Sequence, residues 1–332
     1  MSTTRDPADR SGAVPTEPAD PTFAADEGQV LERTLAPGLL RWTLSNPRKR
    51  NALSPAMLAW LGRRADELRG EVVVLDGAGE PSFCAGFDLD ALPAGPALRD
   101  MPRAPAQAVP EDMSCAPSQA VPEDMSCSPP QAVPEDMSCA PSQAVPEDMS
   151  ESAAPDAPLF AATAALRRAD ATFIAVLHGP VFGAGVELAC SCDLRLARDD
   201  TRFTIPAARL GVVYHPAGVD LLQRVLGLVV TQRLLLLGDT VGADDLLRAG
   251  GVHGVHPGDE LAGAVRGLAG RLLAGAPASL RAHRDRLRAL IAGATPDPAA
   301  HEAARRDAYH SEDYREGRAA ARERRPPRFT GR

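Results

Sequence analysis

The chain has 332 residues, 44% of them hydrophobic, enough to bury a real core in one large domain or two ordinary ones. Its formal net charge of -8, with no Lys/Arg cluster interleaved with aromatics, excludes a nucleic-acid surface that works by neutralising phosphates. No stretch approaches the ~20 apolar residues a membrane span needs, and no membrane contact is expected.

Residues 1–27 mix Pro, Asp, Thr and Ser without an apolar signal-peptide core, and read as a disordered tail. A first part of an α/β core follows over residues 28–106. Leu39–Leu44 reads as a strand, and Asn46-Pro47-Arg48-Lys49-Arg50-Asn51-Ala52-Leu53 places a basic cluster in the turn after it. Ser54 is a suitable N-cap ahead of Pro55, which predicts a helix over Pro55–Arg69. Val72–Asp76 is a second strand. Beyond the loop Gly77–Pro81, the small-residue turn Ser82-Phe83-Cys84-Ala85-Gly86-Phe87-Asp88-Leu89 lets backbone N–H groups approach a ligand.

Within residues 107–152 one 12-residue unit starts at Gln107, Gln119, Gln131 and Gln143 with few changes. Each full unit carries at least two prolines and little apolar mass, so it neither propagates a helix nor offsets its ordering entropy. An expanded, disordered surface loop is the expected state; its periodic Cys and Glu-Asp also leave open metal binding or partner docking.

The core resumes over residues 153–270 with predicted strands at Phe173–Leu177 and Cys192–Ala197. Between them His178-Gly179-Pro180-Val181-Phe182-Gly183-Ala184-Gly185-Val186-Glu187-Leu188 ends a strand in a Gly-rich turn that opens a helix. Free N–H groups at such a start suit developing negative charge. Glu187 on this apolar helix is costly to bury without a purpose. Residues 271–332 form a C-terminal helical region, periodic over Pro277–Ala321 and stopped by Pro326-Pro327. Cys115, Cys127 and Cys139 are repeat copies, and Cys84, Cys190 and Cys192 lie in apolar segments, so free thiols in a reducing cytoplasm are expected. No Cys/His spacing suits a metal, and no phosphate loop or dinucleotide fingerprint is present.

In order and spacing, Asn46–Leu53, Phe83–Leu89 and Gly183–Leu188 before Cys192-Asp193 together resemble the enoyl-CoA hydratase/isomerase (crotonase) superfamily. Leu210-Gly211-Val212-Val213-Tyr214, Leu237-Gly238-Asp239 and the ending Tyr314 through Gly331 extend the resemblance over Val30 to Arg332, apart from the repeat. It implies a ClpP/crotonase spiral of ββα units and a homotrimer or dimer of trimers. It also implies an acyl-CoA thioester substrate, held with its carbonyl oxygen between the backbone N–H groups of Phe87 and Ala184, with Ala85, Gly86 and Gly183 among the residues that bind the CoA ester. No cofactor is implied beyond the CoA of the substrate, whose nucleotide Lys49 and Arg50 would contact.

Of the family's two hydratase glutamates, the first matches Glu187. The second falls on Ala207, whose methyl group can neither activate water nor donate a proton. Tyr214, similarly placed to a tyrosine of methylmalonyl-CoA decarboxylase, and His215 are alternatives; both equally read as a pair that shapes the acyl pocket. Double-bond isomerisation or hydration is the expected reaction. Decarboxylation of a malonyl-type CoA and a silent acyl-CoA-binding role remain as alternatives.

Overall fold

Along Val72-Val73-Val74-Leu75 every side chain is apolar, as a strand covered on both faces requires. The computed structural model describes residues 28–80, 82–88, 90, 156–295 and 297–332, all within a unit formed by residues 1–92 and 154–332. The N-terminal tail and the repeat lie outside the described residues.

Strands β1 (Gln29–Ala36) and β2 (Leu39–Ser45) form an antiparallel pair. Helix α1 (Pro55–Glu67) returns the chain to β3 (Arg69–Gly77), parallel to β2. After α2 (Ala157–Arg168) come β4 (Asp170–Leu177), the short β5 (Pro180–Phe182) and α3 (Ala184–Ser191). Strands β6 (Leu194–Arg198) and β7 (Arg202–Thr204) precede α4 (Ala207–Leu210), α5 (Pro216–Leu226) and α6 (Leu228–Gln232). Strand β8 (Thr240–Gly242), α7 (Ala243–Arg248), β9 (Gly254–His256) and α8 (Gly258–Leu273) complete the body. Three further helices, α9 (Pro277–Ile291), α10 (Pro298–His310) and α11 (Glu312–Glu323), form the carboxyl-terminal region.

Among the described residues one sheet runs β1-β2-β3-β4-β6-β9, parallel beyond its first pair, and a small second sheet runs β5-β7-β8. Val73 and Leu75 of β3 belong to the main core together with Leu58 and Leu61 of α1, Trp42 and Phe173. Val72 and Val74 point the other way, into a smaller cluster with Ile174 and Ala269 of α8. Helices thus cover both faces of an α/β sheet.

The Ser54 hydroxyl accepts the Met57 N–H at 3.2 Å and starts α1 as expected. The helix stops at Glu67 rather than Arg69, because Leu68 turns extended and Arg69 already pairs with Asp170 of β4. The predicted strand at Cys192 starts instead at Leu194. Cys192 is the extended C-cap of α3, its N–H donating to the Ala189 carbonyl. Cys84, Cys190 and Cys192 are all buried free thiols, and burial pushes each up to about 12. No helix among the described residues is long and apolar enough to cross a membrane.

Candidate active site

The turn from Ser82 to Asp88 is held on both sides. On one side, Leu53 N–H donates to the Gly86 carbonyl at 2.7 Å, Asp88 N–H to the Leu53 carbonyl at 2.9 Å, and Ala85 N–H to the Arg50 carbonyl at 3.0 Å. On the other, Phe182 N–H of β5 donates to the Cys84 carbonyl at 2.9 Å, and Phe83 N–H to the His178 carbonyl at 2.9 Å. Gly86 N–H meets the Cys84 sulfur at 3.4 Å. Among the described residues these bonds leave the Phe87 N–H without a partner.

Gly86 has φ of +101°, and a β-carbon there would lie 3.2 Å from the Phe182 carbonyl oxygen. The same point is 3.9 Å from the Ala184 nitrogen, which shows how closely the two turns approach. Gly185 is required more strictly, since a β-carbon would fall 2.8 Å from Cys84 Cβ. Gly183, at φ of +49°, turns the chain into α3 and donates its own N–H to the Thr204 carbonyl. Ala184 is the first residue of α3, so its N–H has no acceptor within the helix. Ala184 itself is buried in the main core.

Glu187 lies in the first turn of α3 and is 5% exposed, with no hydrogen bond to its carboxylate among the described residues. Gly218 of α5 makes room for it: a β-carbon there would stand 3.1 Å from a carboxylate oxygen. Burial raises Glu187 to about 7; the Arg167 guanidinium opposes the shift and the Asp156 carboxylate adds to it. Arg167 and Asp156 both belong to α2 and its cap, for which the sequence had offered no helix. Their signal was the four-three spacing of Asp156, Phe160, Ala164 and Arg167, which places them on one helical face.

The Tyr214 hydroxyl lies 3.6 Å from the position of a Gly183 β-carbon, and its proton is held more tightly than usual by burial and then by Glu187 and Asp156. His215 has a structural explanation. Its Nδ1 accepts the Ala217 N–H at 3.2 Å as the cap of α5, and its ring rests 4.4 Å from that of Phe160. Lys49 is also engaged, its Nζ bridging Asp88 at 2.8 Å and Asp90 at 3.0 Å. Asp88 is therefore buried under a cation. Arg50 is left-handed at φ of 51° and exposed, and its carbonyl also accepts from the Ser82 hydroxyl. Ala207 is buried in the core, so the position of the second glutamate holds only a methyl group.

The enoyl-CoA hydratase/isomerase family profile matches residues 142–332, more than half of the chain. The chain belongs to the enoyl-CoA hydratase/isomerase family. This crotonase-fold member is 32% identical to carnitinyl-CoA dehydratase of Escherichia coli over 196 residues, 55% of this chain and 73% of that one. The enoyl-CoA hydratase/carnithine racemase of Magnetospirillum magneticum superposes with a TM-score of 0.68 at 25% identity, covering 93% of this chain and 97% of its own. An enoyl-CoA hydratase of Polaromonas sp. JS666 superposes with a TM-score of 0.64 at 25% identity, covering 91% of this chain and 100% of its own. The family places this chain among lyase or isomerase enzymes.

Proposed function

We propose that this enzyme binds an acyl-CoA thioester, holds the developing enolate oxygen between the Phe87 and Ala184 N–H groups, and moves a proton through Glu187. The observation that carries the reading is the close approach of the turns that hold the Phe87 and Ala184 N–H groups, neither with an acceptor among the described residues, and a buried Glu187 in the first turn of the helix that Ala184 opens. Enolisation places negative charge on the thioester oxygen, and each preorganised donor lowers the barrier by ~3–4 kcal/mol. Glu187, held near neutrality, can both take and give a proton. Isomerisation or hydration of an enoyl-CoA follows, with no cofactor beyond the CoA of the substrate. Because Lys49 is tied to two carboxylates, the nucleotide contact falls mainly to Arg50. The assay is turnover on 2-enoyl-, 3-enoyl-, dienoyl- and malonyl-type CoA esters; binding without turnover on all of them would favour a silent acyl-CoA-binding protein.

The placement of Tyr214 beside Gly183, together with the methyl group at Ala207, favours decarboxylation of a malonyl-type CoA as a second reading. Tyr214→Phe separates the two. A hydroxyl that orients a carboxylate contributes to decarboxylation, and its loss should lower that rate at least ~10-fold, as losing a hydrogen bond to a charged group does. Isomerisation should change by less than about twofold, since no step of it uses the hydroxyl.

An assembly is part of the proposal. Leu210, Val212, Val213, Leu228, Val229, Leu236 and Leu237 are all exposed, Val213 by 90%, and this apolar surface suits burial in a trimer or pair of trimers. We also propose that residues 107–152 form a dispensable insertion. Deleting Gln107–Ser150 should leave the Tm, the affinity for an acyl-CoA and the trimeric mass unchanged. A monomeric mass for the intact chain would reject the assembly, and a Tm lowered by several degrees in the deletion would make the repeat structural.

A further inference from the structure

The loss of a carboxylate at Ala207 leaves Glu187 without the family's usual partner, yet a second acidic side chain enters the same neighbourhood from α2. Asp156 caps that helix by position, but its side chain accepts none of the helix N–H groups, although Asp is among the best capping residues. It is half-buried, and among the described residues no ion pair or hydrogen bond engages its carboxylate. Asp156, Phe160, Ala164 and Arg167 form one stripe along α2. The ring contact between Phe160 and His215 aims the amino-terminal end of the stripe at the loop that carries Tyr214. The charge of Asp156 is accordingly felt at both Glu187 and Tyr214, whereas Arg167, at the other end of the stripe, is felt at Glu187.

We propose that Asp156 is the second acid/base residue of this site, taking the catalytic place that Ala207 leaves empty. The inference rests on the acyl-CoA reading above and gives it a direction, hydration of a 2-enoyl thioester. A water molecule passes one proton to the Asp156 carboxylate as its oxygen bonds to C3. The electron pair of the double bond moves through C2 to the thioester oxygen, which Phe87 and Ala184 hold. Glu187 in its protonated form then delivers a proton to C2 as the enolate collapses. One water is consumed; Asp156 has gained a proton and Glu187 has lost one, and exchange with solvent restores both. The two carboxyl groups thereby divide base and acid between them.

The test uses the full chain with crotonyl-CoA as substrate and butyryl-CoA as a non-reacting ligand. Asp156→Asn should lower kcat roughly 100-fold, as removal of a positioned base does, with KM for crotonyl-CoA and Kd for butyryl-CoA within about threefold of wild type. Asn caps a helix as well as Asp, so a merely structural role would leave kcat unchanged, and that result overturns the proposal. Asp156→Glu should recover part of the rate. A loss of rate that accompanies a lowered Tm in both variants would make Asp156 structural and likewise overturn it. If wild type binds butyryl-CoA and hydrates no enoyl ester, this inference falls while acyl-CoA binding stands; if it binds neither ester, both fall.

Discussion

Glu187→Gln should lower turnover at least ~100-fold and at the same time stabilise the protein above neutral pH. Gln keeps the shape beside Gly218 but accepts no proton, so the rate falls while affinity for the CoA ester changes little. The stability effect follows from burial. The carboxyl is raised from 4.5 to about 7, so between those values the folded chain binds a proton that the unfolded chain has released. The stability from this proton is fully present below about 4.5 and is lost as pH rises through about 7, a change on the order of 3 kcal/mol. The Gln variant lacks this dependence and should exceed wild type by a similar amount at high pH. Urea midpoints at low and high pH, with turnover measured alongside, check both parts. Wild-type turnover in the variant would remove Glu187 from catalysis, and parallel stability curves would mean that its carboxyl is not buried in a way that matters.

The second large effect is expected at Arg288, which joins the carboxyl-terminal helices to the sheet. From α9 its Nε donates to Asp193 at 2.6 Å, and its two terminal nitrogens donate at 2.7 Å to the carbonyls of Ala169 and Ala171. Asp193 in turn accepts the Phe173 N–H of β4 at 2.8 Å, so one ion pair organises the end of α2, the start of β4 and the turn after α3. Arg288→Met strands a nearly buried carboxylate and two carbonyls, and should destabilise by about 3–5 kcal/mol. Asp193→Asn with Arg288→Met should recover part of that loss, because no charge remains unpaired. Thermal unfolding of the single and double variants decides the matter; a shift in Tm of less than a degree for Arg288→Met would show that the pair is solvated and does not hold the helices.

Local chemistry was legible wherever the deciding interactions are themselves local. Ser54 and Pro55 announce α1 because a cap acts within one turn, and the apolar run at Val72 announces a strand buried on both faces. The turn around Gly86 could be marked as a close approach, and the glycines at 183 and 185 as a turn into a helix, because no other residue is so permissive of backbone conformation. The same segments, through their resemblance to one superfamily, indicated the fold and made Phe87, Ala184 and Glu187 the candidates on which the proposed function rests. By contrast, β5, β7, β8 and β9 have only three residues each, too few for a periodicity, and exist because parallel or antiparallel neighbours complete their hydrogen bonds. Lys49 is a nucleotide contact only by what the resemblance implies, and its ion pair with Asp88, 39 positions away, is made by the fold. His215 reads equally as a catalytic group or as part of the acyl pocket wall, and the role of its Nδ1 as a helix cap is visible only in the folded turn. Asp156 and Arg167 could not be assigned to the site from sequence, because only the packing of α2 sets their stripe beside Glu187. What the sequence by itself determined is the set of groups with short-range reasons to be where they are; which charges share a dry space was decided by tertiary structure, since burial and Coulomb interaction depend on distance through space and not along the chain.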